Sequence, residues 1–384
     1  MSEAPPRQEQ RSVGMRGGIS LGRPGGVPVR LHVSFLFLGV LVALSVAAPL
    51  RAELPRLSSA VVEVLSVVLG ALLLVCVALH ELAHALVARR LRIEVSGIDL
   101  WGLGGVTGLA SEPTTARAQY LVSVSGPVVN LLIGAPAALV WIGTDVATIP
   151  HALALRLALA NALLAAYNLL PGLPLDGGQI LRAGVWGLTG DKVTGLRAAG
   201  YGGLIAAVAT AALALDDARR GGQFWLFTLL IAGFIGVQAT GALRGAVVAR
   251  RLPFVVAGRL ARPAFLAVTD LPLAEALRRA TAAGCAAVVL GAEDAPTGVM
   301  SDALLAQVPA QRRPWVALSS VVQVIRPGAV LDARLSGEAL LEVLRRAPAP
   351  EYVVMDAGRL VGVLRTADVA TVLRAARPGA VATA

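Results

Sequence analysis

The chain has 384 residues, of which 56% are hydrophobic and only 15% charged, and its mean hydropathy is +0.72. That balance excludes a single soluble core as the destination of every apolar segment and directs several of them to lipid. The net charge of +10 is almost wholly arginine, placed to suit a membrane face rather than nucleic acid, and two cysteines, Cys76 and Cys285, are too few for a disulfide framework.

Residues 1–30 read as a polar, Gly- and Arg-rich cytoplasmic leader, retained because no small-residue cleavage site clearly follows the first apolar run. Runs near the ~20 residues needed to cross ~30 Å of hydrocarbon then occur at 32–50, 61–87, 120–143, 152–170, 198–215 and 224–242, which predicts six transmembrane helices within a membrane domain at 31–245. The leader and the second and fourth loops carry twelve basic residues: Arg7, Arg11, Arg16, Arg23, Arg30, Arg89, Arg90, Arg92, Arg117, Arg182, Lys192 and Arg197. The opposite side carries five: Arg51, Arg56, Arg219, Arg220 and Arg156, the last near the outer end of the fourth helix, where it would have to snorkel. This asymmetry predicts a multi-pass protein of the cell membrane with both termini cytoplasmic.

After a linker at 246–262 the composition becomes that of a soluble domain, followed by a disordered tail at 377–384. The domain, 263–376, contains an internal echo: PAFLAVTDLPLAEALRRATAAGCAAVVL then GVMSDALLAQV, against IRPGAVLDARLSGEALLEVLRRAPAPEYVVM then GVLRTADVATVL. Each pass alternates a β-rich run, a helix of period 3.6, an apolar strand, and a Gly-led strand into another helix. The pair resembles tandem cystathionine-β-synthase (CBS) modules, a cytoplasmic α/β domain that in many proteins binds adenine nucleotides. The family's Gly, Ser or Thr, Asp spacing is met in part: Gly298 has Ser301 but Leu304 where the Asp belongs, and Gly362 has Asp368 but Arg365 where the hydroxyl belongs. Asp368 is thus the candidate nucleotide-binding residue, and a docking or dimerising domain without ligand is the competing reading.

The second apolar run holds VCVALHELAHALVARR, with His80, Glu81 and His84 in the spacing H-E-x-x-H. On an α-helix residues i and i+4 share a face, so both imidazoles can ligate one Zn²⁺ while the glutamate reaches its water as general base. The apolar flanks leave this cluster no wet face, and ionisable groups at such depth imply a function. A third ligand is needed. His32 and His151 lie at membrane edges, where interfacial packing accounts for them. In NLLPGLPLDGGQILR, by contrast, Asp176 lies in a run broken by Pro and Gly, a backbone tolerated at depth only where it is buried or lines a cavity. At about 1.5 Å per residue, His84 and His80 lie about 8 and 14 Å inside Arg89, and Asp176 at most about 9 Å inside Arg182. In SVSGPVVN, Asn130 lies about 15 Å past Tyr120, level with His80, as a packing or a substrate-binding amide.

HELAH, SGPVVN and NLLPGLPLDGG together resemble the site-2 protease family of intramembrane zinc metalloproteases, in the branch with CBS modules, over most of 30–244. The resemblance implies His80, His84 and Asp176 as ligands of one Zn²⁺, Glu81 as catalytic base, and Asn130 as a substrate or oxyanion contact. It implies regulated intramembrane proteolysis of membrane-anchored substrates near the cytoplasmic face, such as an anti-sigma factor or another single-pass protein. The CBS pair is then regulatory and able to support a homodimer. The connector RIEVSGIDLWGLGGVTG fits either a re-entrant hairpin whose edge pairs with extended substrate or a plain amphipathic linker. Two other functions compete: a CBS-regulated transporter or channel, which leaves H-E-x-x-H unexplained, and a non-catalytic protease homologue, which leaves the intact ligand set unexplained.

Overall fold

The computed structural model describes residues 18–102, 104–268 and 270–374; Arg7, Arg11 and Arg16 and the tail at 377–384 lie outside them. Among the described residues six helices are long and apolar enough to cross a membrane. In chain order the N-terminal helices are α1 (Val33–Glu53), α2 (Ser59–Arg90), α3 (Ala116–Ile142) and α4 (Ile149–Asn168). A shorter helix, α5 (Asp176–Thr189), precedes α6 (Lys192–Arg219) and α7 (Trp225–Arg251). Capping, rather than hydropathy, sets the starts of α2, α3, α4 and α6, each of which begins a few residues before its apolar stretch. Side chains of Ser58, Thr115, Thr148 and Asp191 accept the free N–H groups of Val61, Ala118, His151 and Val193. Arg89 and Arg90 occupy the last turn of α2, where cations suit the helix dipole.

The leader is not wholly irregular. β1 (Ile19–Gly22) and β2 (Val29–Leu31) join β3 (Val95–Trp101) and β4 (Gly104–Leu109) in a sheet of order β1-β2-β3-β4. The connector is therefore a hairpin: β3 and β4 pair antiparallel, with Asp99 opposite Val106, while β2 runs parallel to β3, with Arg30 opposite Asp99. Arg30 Nε donates to Asp99 Oδ1 at 2.7 Å, tying the two segments together. Val29, Ile98 and Leu100 from the sheet, with Val27 just before β2, close a buried cluster with Phe35 of α1 and Val77 and Ala85 of α2. This core seats the hairpin on the stretch of α2 that carries the two histidines.

Arg156 does more than snorkel. Its Nη1 lies 2.6 Å from Glu53 Oε2 and also donates to Ala152 O, so a carboxylate from the end of α1 partners the charge.

The residues fall into two compact units, the second beginning at Val247. It opens with α8 (Ala257–Leu260). The first pass is β5 (Ala264–Ala267), α9 (Leu273–Ala282), β6 (Ala287–Gly291), β7 (Pro296–Met300), α10 (Asp302–Leu305) and β8 (Val322–Val324). The second is β9 (Val330–Asp332), α11 (Gly337–Arg346), β10 (Glu351–Asp356), β11 (Arg359–Arg365) and α12 (Thr366–Arg374). β5 with β6 and β9 with β10 are parallel pairs crossed by α9 and α11, and each is extended by an antiparallel strand. The sequence echo is thus a repeated βαββα unit, a tandem CBS-like α/β fold. Val289 and Val299 of one pass and Val353 and Val363 of the other share a buried cluster.

Candidate active site

One turn of α2 carries both imidazoles. His80, Glu81 and His84 are all buried, and Nε2 of His80 lies 3.2 Å from Nε2 of His84. The carboxylate of Asp176, in the first turn of α5, faces them: Oδ2 is 3.0 Å from His80 Nε2 and Oδ1 is 3.3 Å from His84 Nε2. One donor atom from each residue can be chosen so that all three lie within 4.8 Å of one another.

These residues fit a tetrahedral zinc ion. Bonds of ~2.0–2.1 Å place tetrahedral donors roughly 3.3 Å apart, and the two imidazole nitrogens are 3.2 Å apart, each with its own Asp176 oxygen at a similar distance. Asp176 Oδ2 is buried and, although His80 Nε2 is near, has no hydrogen-bond partner, so a cation is the partner its charge lacks. The donor set, two imidazoles and a carboxylate, leaves a fourth position open for water or substrate. α3 makes room for the group: a Cβ on Gly126 would lie 2.4 Å from His84 Nε2 and 2.6 Å from His80 Nε2.

The unwound stretch between α4 and α5 delivers Asp176. Leu173 N–H donates to Ala199 O of α6 at 2.9 Å, and Gly202 of α6 packs so closely on this stretch that a Cβ there would lie 1.8 Å from Pro171 O. The backbone groups freed by Pro171 and Pro174 thus find partners inside the protein, as depth requires. Gln119 of α3 donates to Gln179 Oε1 at 3.3 Å, holding the first turn of α5 to α3.

Glu81 is met by the hairpin. Thr107 of β4 places its Oγ1 2.7 Å from Glu81 Oε2 and 3.0 Å from Glu81 O. Reading the sequence missed Thr107, Gln119 and Gln179. A threonine in a Gly-rich connector carries no signal of its own, and only the hairpin, once identified, directs it onto α2. Asn130 is wholly buried, with Nδ2 3.0 Å from His80 Nδ1. Nδ1 of His84 donates to Val122 O at 2.7 Å.

Asp368 lies in the second unit and accepts from Arg262, Nε at 2.9 Å and Nη2 at 2.8 Å. Arg365 is paired with Asp302 and Glu351, and Ser301 caps α10 by accepting Leu304 N–H. Burial pushes the Glu351 carboxyl above its ordinary range, against the pull of Arg365. Polar groups at the partial nucleotide motif are therefore already occupied by protein.

A model of peptidase family M50 matches residues 68–157 and 144–210. A protein of Synechocystis sp., provisionally named a zinc metalloprotease, is 30% identical over 368 residues, covering 92% of this chain and 95% of that protein. Among solved structures, the site-2 protease from Methanocaldococcus jannaschii aligns at 26% identity and a TM-score of 0.41, over 59% of this chain and 95% of that one. The CBS domain of a bacterial CNNM/CorC family Mg²⁺ transporter aligns at 16% identity and a TM-score of 0.28, over 39% and 96%. With the M50 model lying over the helices that carry both histidines and the aspartate, and a relative alike along nearly its whole length, the chain belongs to peptidase family M50, the site-2 proteases.

Proposed function

We propose that the protein is an intramembrane zinc metalloprotease that hydrolyses peptide bonds of membrane-anchored proteins near the cytoplasmic face. The observation that carries this reading is the convergence of His80, His84 and Asp176 from α2 and α5, with Glu81 one residue along the same helix. Zinc held by these three residues would polarise the scissile carbonyl and acidify the attacking water. Glu81 takes the proton of that water and returns it to the leaving amine. Thr107 holds Oε2 of Glu81 and so aims the carboxylate, while α3 holds the outer nitrogens of both imidazoles. A helical substrate hides its carbonyls in its own hydrogen bonds and must unwind. β4 is the outer strand of its sheet, and its free edge can take up the extended segment beside Glu81.

Single-pass membrane proteins, such as an anti-sigma factor, are the expected substrates. The second unit is regulatory, acting through ligand binding or pairing of two copies. An adenine nucleotide there would have to displace Arg262 from Asp368.

The test is zinc analysis of the purified full-length protein together with membrane proteomics. Stoichiometric zinc is expected in the wild type and its loss in His84→Ala. Cells carrying Glu81→Gln should accumulate an uncut membrane protein while the variant keeps its metal. A wild type without zinc, or unchanged proteomes, overturns the reading.

A further inference from the structure

Neither imidazole is oriented by its own helix; both Nδ1 atoms are held by α3. For His84 the partner is Val122 O at 2.7 Å. A carbonyl can only accept, so Nδ1 carries the proton and Nε2 turns a lone pair toward Asp176. His80 has no carbonyl in that place. Its Nδ1 meets the amide of Asn130, whose Nδ2 stands 3.0 Å away and whose buried Oδ1 has no hydrogen-bond partner.

An amide carries a donor and an acceptor on one planar group, and a half-turn about its last torsion exchanges them at the same site. With the amino end toward Nδ1, the ring proton sits on Nε2, the atom that faces Asp176. With the oxygen there, Nδ1 is protonated and Nε2 is free to bind a cation. A ligand imidazole needs the second arrangement, because the hydrogen bond on the outer nitrogen sets which nitrogen can coordinate.

We propose that Asn130 is a positioning residue of the metal centre: its side-chain oxygen accepts the Nδ1–H of His80 and fixes the tautomer whose Nε2 binds zinc, as Val122 O does for His84. This role rests on the metalloprotease reading and replaces the substrate contact that family resemblance implies. Asn130 is 0% exposed and meets the ring through Nδ1, the nitrogen turned away from Asp176. A substrate carbonyl drawn to the open face of the site would have to pass the imidazole to reach it.

The test is competition for Zn²⁺ between a chromophoric chelator and the full-length protein in detergent, for wild type, Asn130→Leu, Asn130→Asp and Asn161→Leu. Asn130→Leu keeps the bulk but loses the acceptor and should bind zinc roughly 10- to 100-fold more weakly. Asn130→Asp keeps an oxygen toward Nδ1 and should hold zinc at least as tightly as the wild type. Asn161 is equally buried and has an unpaired Oδ1, but its amide donates to Leu157 O and Cys76 Sγ rather than to an imidazole, so Asn161→Leu controls for general loss of packing. It should retain wild-type affinity.

Zinc bound equally by wild type and Asn130→Leu, with a raised KM in the variant, overturns the proposal in favour of a substrate contact and leaves the protease reading standing. An Asn161→Leu loss as large as that of Asn130→Leu overturns it in favour of packing. A wild type that takes up no zinc defeats the protease reading itself, and this role with it.

Discussion

Gly126 and Thr107 act on neighbouring atoms of the site in separable ways. Gly126 governs the space between the imidazoles, where a methyl group would fall inside contact distance of both Nε2 atoms. Those nitrogens cannot retreat, because α3 holds each ring from behind through Val122 and the Asn130 amide. Gly126→Ala is therefore expected to lower zinc occupancy of the purified protein at least tenfold, read by elemental analysis, with second-metal chemistry unable to rescue it because the obstruction is steric. Thr107 governs only the base. Thr107→Val preserves shape and removes the hydroxyl on Glu81 Oε2. Hydrogen bonds to charged groups contribute about 1.5–3 kcal/mol, so kcat should fall roughly 10- to 100-fold while zinc content stays at the wild-type level. A Thr107→Val enzyme that loses metal as well would show that the hairpin supports the ligands and not the base alone.

Whether such residues can be found without a structure depends on whether helical periodicity or depth in the membrane places them. H-E-x-x-H is a local pattern: helical periodicity alone puts His80 and His84 on one face, and the need to partner a stranded charge singles out Asp176. The depth estimate that set Asn130 level with His80 used only rise per residue and the charged ends of helices, and the two side chains touch. Thr107 is illegible because its contact with Glu81 depends on strand register, which neither helical periodicity nor rise per residue supplies. α5 was hidden for a different reason. Gly177 and Gly178 look like breakers beside Pro171 and Pro174, yet they belong to a helix, and both are buried against neighbouring backbone. Glycine there serves close approach rather than a turn. The same holds across the interface with α6, where Gly202→Ala would drive a methyl group into Pro171 O. Overpacking of side chains costs about 1–3 kcal/mol, and here the obstacle is backbone that carries Asp176. The expected result is a lower melting temperature together with weaker zinc binding. A variant that melts early but binds zinc normally would separate the loop's packing from its delivery of the ligand.

At the scale of the whole molecule, the orientation in the membrane decides which compartment supplies substrate and signal. Of the described basic residues counted above, Arg23, Arg30, Arg89, Arg90, Arg92, Arg117, Arg182, Lys192 and Arg197 belong to one set of helix ends, and Arg51, Arg56, Arg156, Arg219 and Arg220 to the other. Positive charge is retained on the cytoplasmic side, so the ends of α2 and α5 and the start of α3 should face the cytoplasm, with the zinc site nearest that face. The chain carries its own reporter, since Cys76 is buried and Cys285 of the second unit is partly exposed. A membrane-impermeant maleimide should leave the wild-type protein unlabelled in intact cells and label Cys285 after permeabilisation. Asp145, exposed between α3 and α4, should behave oppositely: Asp145→Cys is expected to react in intact cells. Labelling of Cys285 from outside would reverse the orientation, place the site near the other face, and with it exclude cytoplasmic nucleotides as regulators of the second unit.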